Sequence, residues 1–565
     1  MIDYSQKRAG VYFETQDNSQ YETGTIVAST ALITPTVKGK AFSPRVVSTM
    51  SEYSNYFGTA FKSGSQYYEY QGSLLAQLHF ENGGQPLLVV PIKSGSYSSA
   101  TSNIPNPTSG SFSFTLETLS EGSIMNNIGG EIANSNGTLV SGSSNNIRWE
   151  VSNSNSAKGT FDLLIRRGDD SNKNKIVLES YSGLSLDPTN PNYISNVIGD
   201  VTYNYDATNK VLQKVGSYIN KSKLVRVSTI NATPDYFDNA GVAKSAFTGS
   251  FPSNGSGSFS GGTDGTITHP QLFGELISGA NAQGFTASTD AYDKAIDLLS
   301  NKDEYKFSVL YTSGITANTH PTIVQKALDM VIERDDCFYV IDPSEYGKQP
   351  SEVITVASGY DTDKGAMYYP HSQIRSSNLN KDVWVLPSTV VAGAIAYSDS
   401  ITSPSFAPAG YNRASLSRVR NVQQKVGSSL KNDLFNGNVN LIEPMSGIYV
   451  ILSQNTLKQK STALDRVNVV RMLIEVKNYI SEAGRKILFE ANIDKVRTLF
   501  VQEINNHLGK LIERGEIAFG KISTVEDNVS FDRSEFPLTL EITPAKSIEK
   551  IIVRIVINET GVTFQ

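Results

Sequence analysis

The stretch IEKIIVRIVIN, residues 548–558, constrains the fold of this chain more than any other. In extended conformation it places Ile551, Val553, Ile555 and Ile557 on one face, and Lys550, Ile552, Arg554, Val556 and Asn558 on the other. A strand this apolar is an aggregation hazard when unpaired, so it must find a partner. Two partners are open. It can be an edge strand of its own domain, or it can extend the sheet of a neighbouring subunit, where backbone hydrogen bonds give affinity and alternating side chains give register.

The helical signal is strongest just before it. In LDRVNVVRMLIEVKNYISEAGRKILFEAN, Val469, Leu473, Val476, Ile480, Ala483 and Ile487 recur at intervals of four and three, the stripe of an amphipathic helix. A second helix is predicted from Asp494 to Arg514, with Val496, Phe500, Ile504, Leu508 and Leu511 on one face and Gly515 as its stop.

At 565 residues the chain exceeds the roughly 250–300 at which one core stops growing, so two to four domains are expected. Residues 23–92 read as strand, helix, strand, from TIVASTALITPTV through SLLAQLHF to GGQPLLVVPI. Residues 93–230 change character. FSFTLETL, NIRWEVS, TFDLLIRRG and NKIVLES are short β runs between Asn, Ser and Gly clusters, which predicts an all-β module. Residues 231–265, with NGSGSFSGGTDG at 254–265, read as a Gly/Ser-rich loop or hinge. An α/β domain follows at 266–375, where AYDKAIDLLSNKDEYKFSVLYTSGI and PTIVQKALDMVIERDDCFYVIDP each give a helix then a strand, with Pro321 suited to a helix N-terminus. Residues 376–545 form a C-terminal core domain, flanked by arms at 1–22 and 546–565. The fold class is α/β core built from N- and C-terminal segments, with an inserted all-β domain and extended terminal β-arms.

Chemistry finds no foothold. Only 18% of residues are charged, net −6, and no block of five or more Lys or Arg follows a phosphate backbone, so no direct nucleic-acid contact is expected. No leader-like segment and no run of about 18 apolar residues is present, so the reading is a soluble chain without membrane insertion. Lys40, Lys348, Lys510 and Lys521 follow glycine, yet none precedes Ser or Thr, which excludes a P-loop. His79, His269, His320, His371 and His507 stand singly, and Cys337 is the one cysteine, so neither a metal nor another cofactor is expected. Cys337 is read as a buried reduced thiol. DTDKG, at Asp361 and Asp363, carries Ser372 where a calcium loop needs Glu, and is read as a solvated turn. Asp335 and Asp336 are read as surface charges. The stretch LPSTVVAGAIAYSDSITSPSFAPAG, 386–410, lacks the G-x-S-x-G of a nucleophile elbow and is read as scaffold.

An ordered series of segments resembles one family, the contractile tail sheath proteins of bacteriophages and related injection systems. It runs from YDKAIDLLSNKDEYKFSVL and ERDDCFYVIDP through MYYPHSQI, LPSTVVAGAIAYSD and APAGYNRASL to DRVNVVRMLIEVKNYISEAGRKILFEAN and LGKLIERGEI. ESYSGLSLDPTNPNYISNVIGD resembles the exit from that family's inserted β domain, and RAGVYFET its N-terminal arm.

The resemblance implies a non-enzymatic subunit that polymerises as stacked, hexameric rings around a tail tube and contracts to drive the tube through a host envelope. Its implied partners are other copies of itself, the tube protein, and baseplate and tail terminator proteins, in a virion tail assembled in the host cytoplasm. It further implies inter-subunit arms, at Val11, Tyr12, Phe13 and Glu14, and at Ile551, Ile552, Val553, Ile555, Val556 and Ile557. A bacterium-encoded injection device is the alternative. A secreted β-rich hydrolase or adhesin is more remote, since neither a leader nor a clustered catalytic set is found.

Overall fold

The apolar run of GGQPLLVVPI becomes the strand Leu87–Ile92, buried at every position. Such a strand needs cover on both faces, and a computed structural model shows how it is covered. The structure describes residues 26–63, 66–108, 110–122, 146–265, 290–524, 535–547 and 549.

Leu87–Ile92 lies in an eight-stranded sheet whose spatial order is Ile448–Ile451, Val439–Met445, Gly365–Tyr369, Phe338–Ile341, Val309–Thr312, Thr30–Pro35, Leu87–Ile92 and Arg45–Val47. The six inner strands run parallel, and the two outer ones pair antiparallel. Alternate residues divide between two cores. Ala31, Ile33, Leu310, Tyr339 and Met367 face a layer with helices Asp290–Leu299, Pro321–Arg334 and Pro350–Ser358. Leu32, Val309, Tyr311, Phe338 and Tyr368 face helices Met50–Phe57, Gln71–Glu81 and Pro387–Ile401. The two helix-strand units expected after residue 290 are both present, with Pro321 at the first turn of its helix. The boundary expected at 375/376 is absent, because Gly365–Tyr369 and Val439–Met445 are adjacent strands of one sheet.

The stretch at 386–410 is a helix over most of its length, Pro387–Ile401, buried on all sides for its first ten residues. Pro387 occupies its first turn, where a missing N–H costs nothing. Ser388 donates from its backbone N and its Oγ to the two Asp342 carboxylate oxygens, at 2.8 and 2.6 Å. At Gly393 the helix meets Gln71–Glu81 so closely that an added Cβ would lie 3.3 Å from Leu78 Cβ and 3.0 Å from Asn82 Nδ2.

Two four-stranded antiparallel sheets account for the β runs. One is Val225–Ile230, Phe112–Glu121, Tyr97–Pro105 and Thr263–Asp264, and the other is Val177–Leu184, Thr160–Arg167, Ile147–Asn155 and Gly255–Ser258. They share one apolar cluster, in which Phe114 stacks on Phe161 at 5.6 Å between centroids. The Gly/Ser tract expected as a hinge is instead part of this module. Gly255–Ser258 pairs with Arg148–Val151, Thr263–Asp264 pairs with Tyr97–Ser98, and Tyr236, Phe251 and Phe259 are buried in the cluster. The glycine has a packing reason, since a Cβ at Gly257 would stand 2.7 Å from the Trp149 ring.

Candidate assembly site

The stripe of the first long helix folds as Val467–Ile487 and that of the second as Asp494–Glu513. Val469, Met472, Val476 and Ala483 meet Phe500, Ile504, Leu508 and Leu511 in a cluster of their own. Gly515, at φ +74°, ends the second helix as the sequence predicts. The hairpin Ile517–Thr524 with Leu538–Pro544 then lies on the pair. Leu538, Leu540 and Ile542 turn toward the helices, while Lys521, Thr539, Glu541 and Thr543 face out. Asn505 fixes the hairpin by accepting from Ile522 N at 2.8 Å and donating to Ile522 O at 3.0 Å. Among the described residues this sheet has two strands only, so both strands carry an outer edge of backbone donors and acceptors.

Beyond the hairpin the chain returns to the start of the first long helix. Gln454 Nε2 donates to Ser547 Oγ at 3.4 Å. The Arg466 guanidinium then clasps Glu549, with Nε to Oε1 at 2.7 Å and Nη2 to Oε2 at 3.0 Å. Partial burial pulls the Arg466 pKa down, but the Glu549 carboxylate outweighs it and the net shift is upward. Arg466 also lies 5.9 Å from the Phe435 ring centroid.

The other end of that helix stands beside the start of the described chain. Ile26–Val27 pairs in parallel with Tyr305–Lys306. Lys306 reaches Glu482 at 3.1 Å, Arg485 reaches Asp303 at 3.0 Å, and Lys477 reaches Asp335 at 2.5 Å. Between Ala28 and Lys306–Ser308 on one side, and Ile474, Lys477 and Glu482 on the other, lies a cleft of about 700 Å³.

Every arm residue expected from the sequence, Val11, Tyr12, Phe13 and Glu14 as well as Ile551, Ile552, Val553, Ile555, Val556 and Ile557, lies outside the described residues. The described residues that flank them begin at Ile26 and end at Glu549. Arg466 and its partner Glu549 stand 83 positions apart, and neither carried a local signal. Asp335 and Asp336 do more than solvate the surface. Asp335 is the left-handed C-cap of Pro321–Arg334 and bridges Lys364 and Lys477, and Asp336 pairs with the buried Arg334. Burial raises the Asp335 pKa, the two lysine contacts lower it more, and the net shift is downward.

No chemistry emerges around these groups. Burial pushes the Cys337 thiol up to about 12, and it is wholly enclosed. Asp361 of the DTDKG turn pairs with Lys458 at 3.0 Å. Among the described residues no group of three or more His, Cys, Asp or Glu side chains could hold a metal ion, and no helix is long and apolar enough to cross a membrane.

Residues 459–558, which include the helix pair, the hairpin and Glu549, match the family model described as the phage tail sheath C-terminal domain. The tail sheath protein of Vibrio phage KVP40 is 28% identical over 228 residues, 40% of this chain and 33% of that protein. That of Enterobacteria phage T4 is 26% identical over 325 residues, 52% of this chain and 49% of that protein. The chain thus spans between a third and a half of the length of these two proteins. The crystal structure of a sheath tail protein from Listeria innocua shares the fold, at a TM-score of 0.55 and 12% identity, over 93% of this chain and 94% of that one. The chain is thus similar to tail sheath proteins, and its residues 459–558 match the model of their C-terminal domain.

Proposed function

We propose that this protein is the structural subunit of a contractile phage tail sheath. It polymerises as a helical array of stacked six-fold rings around the tail tube and contracts to drive the tube through the host envelope for genome ejection. The observation that carries the reading is the region 459–558, where the match to the tail sheath C-terminal domain coincides with a hairpin open-edged among the described residues and with the Arg466–Glu549 pair just ahead of the apolar run in the sequence. In this reading the hairpin edges accept arm strands of neighbouring subunits. About six to eight added backbone hydrogen bonds, each worth roughly 0.5–1.5 kcal/mol net, would make a strong but flexible link.

Stacked helical rings need interfaces that do not close within one layer, and exchanged arms supply them. Contraction is then a passage from a metastable array to a better-packed one, with cores rotating as rigid bodies while arms stay paired. A structural role is in keeping with the tail sheath proteins that the chain resembles. Further partners in this reading are the tube protein, the baseplate that triggers contraction and the tail terminator, all within the virion tail.

Negative-stain electron microscopy of the purified chain at rising concentration tests the proposal. Long, hollow, striated cylinders are the expected result. A chain that stays monomeric at all concentrations, and also when its cognate tube is added, overturns it.

A further inference from the structure

The two ends of one helix, Val467–Ile487, stand beside the first and the last described residues of the chain, Ile26–Val27 and Glu549. At its start Arg466 grips Glu549 through two nearly parallel N–H···O bonds, 2.7 and 3.0 Å. Near its end Glu482 pairs with Lys306, which lies in the two-residue ladder with Ile26–Val27. Sixteen residues of helix at 1.5 Å each separate Arg466 from Glu482, about 24 Å. The helix cannot stretch, so the distance between these two points is fixed. What remains adjustable is the direction in which each segment sets off.

That direction is defined at Glu549. The last strand of the hairpin stops at Pro544, and only Ala545 to Ile548 separate it from the arginine clasp. On the way, Ser547 Oγ accepts from Gln454 Nε2 at 3.4 Å. The fork of Arg466 is itself oriented, by Asp465 at 3.2 Å and by the Phe435 ring. A bidentate guanidinium–carboxylate pair fixes angle as well as distance, which a lysine in the same place would not do.

We infer that Arg466 is a positioning residue for assembly: by clasping Glu549 it aims the strand that follows toward the neighbouring subunit. The inference rests on the proposed exchange of arms. With the clasp intact the arm starts from one orientation, so less conformational freedom is lost when it docks. Without it the same residues dock from a wider cone.

The test is a pelleting assay on the full chain that reads the critical concentration for polymerisation, with the melting temperature of the monomer as a fold control. Arg466→Ala and Glu549→Ala are each expected to raise the critical concentration about fivefold, the scale of one well-oriented exposed ion pair, at unchanged melting temperature. The double charge reversal, Arg466→Glu with Glu549→Arg, is expected to bring it back toward that of the unaltered chain, whereas either reversal alone raises it. A simple structural role would lower the melting temperature of the single variants along with their polymerisation, and that outcome overturns the positioning role.

Deletion of residues 550–565 separates this inference from the reading beneath it. If the deletion blocks polymerisation while the Arg466 and Glu549 variants polymerise like the full chain, the positioning role is overturned and arm exchange stands. If the deleted chain polymerises normally, both are overturned.

Discussion

Arg471 and Asp399 form a two-pronged ion pair, Nη1 to Oδ1 at 3.0 Å and Nη2 to Oδ2 at 2.5 Å, with the arginine side chain 3% exposed. Arg471 belongs to the first long C-terminal helix, and Asp399 to the buried helix against the central sheet. The pair therefore bolts the helix pair and hairpin to the α/β body. Burial pulls the Arg471 pKa down, the Asp399 carboxylate more than compensates, and the guanidinium stays charged.

Removing one partner of a buried pair costs more than the pair itself contributes, because the other is left uncompensated. Asp399 is one-quarter exposed, so water can reach it in part, and Arg471→Ala is expected to destabilise the monomer by about 1–3 kcal/mol in denaturant unfolding. A loss under about 1 kcal/mol would show that the two units are held by apolar contact alone.

Gly393 permits the closest approach between Gln71–Glu81 and Pro387–Ile401. Its added Cβ would touch backbone and Cβ atoms of Leu78 at 3.3 Å, and these cannot swing aside. Gly393→Val should therefore cost about 1–3 kcal/mol through overpacking. Gly393→Ala should fall nearer zero, since about 1 kcal/mol of helix propensity is regained. Thermal melts of the two variants check the order.

Two buried groups act on pH stability in opposite senses. Burial raises Asp342 to about 7, with Ser388 pulling it back. The folded protein thus holds a proton that the unfolded chain has released, and this stabilisation is full below about pH 4 and lost as pH rises to 7. Burial lowers His371 to about 3, and neither ring nitrogen has a hydrogen-bond partner among the described residues. Its contribution is full above about pH 6.5 and is lost as pH falls toward 3. Between pH 4 and 6.5 the two offset each other. Relative to the unaltered chain, Asp342→Asn should gain stability with rising pH across that window and His371→Gln should lose it, each on the order of 3 kcal/mol. Melting temperatures at pH 4, 5 and 6.5 decide it, and parallel curves for all three proteins would refute the assignment.

Deleting residues 550–565 should leave a folded monomer, because Glu549 and all the described core residues precede the cut. Circular dichroism should match the full chain while cylinders fail to form. Sheath of normal length from the deleted chain would remove the arm from the assembly.

What could be read in the sequence followed periodicity. The stripes Val469 to Ile487 and Val496 to Leu511 announce a helix pair because each sets apolar residues at helical spacing along one face, whereas Val467, Val470 and Ile474 of the first helix pack on the central body instead. The stretch 386–410 reads as scaffold with no helix assigned to it, since Pro387–Ile401 is buried all round for most of its length and has no polar face to set a period. The strand Gly255–Ser258 was missed for a related reason. It is held by backbone pairing and by lying flat on Trp149, and neither leaves a side-chain pattern. The Arg466–Glu549 clasp was illegible because two ordinary surface residue types acquire meaning only when the fold brings them together.

The sheet order also dictates a timetable. Thr30–Pro35 can pair with Leu87–Ile92 early, but its other neighbour begins at Val309, and the bond joining Ser29 to Ser308 spans 279 residues. At about 5–20 residues per second, a ribosome needs roughly 15–60 s to supply that second neighbour. The strands between 97 and 264 close around their own apolar cluster in the interval. The nascent chain thus displays a finished β unit while a pair of apolar strands waits with one side bare, and its yield in the cell will depend on what shields that side until translation passes residue 312.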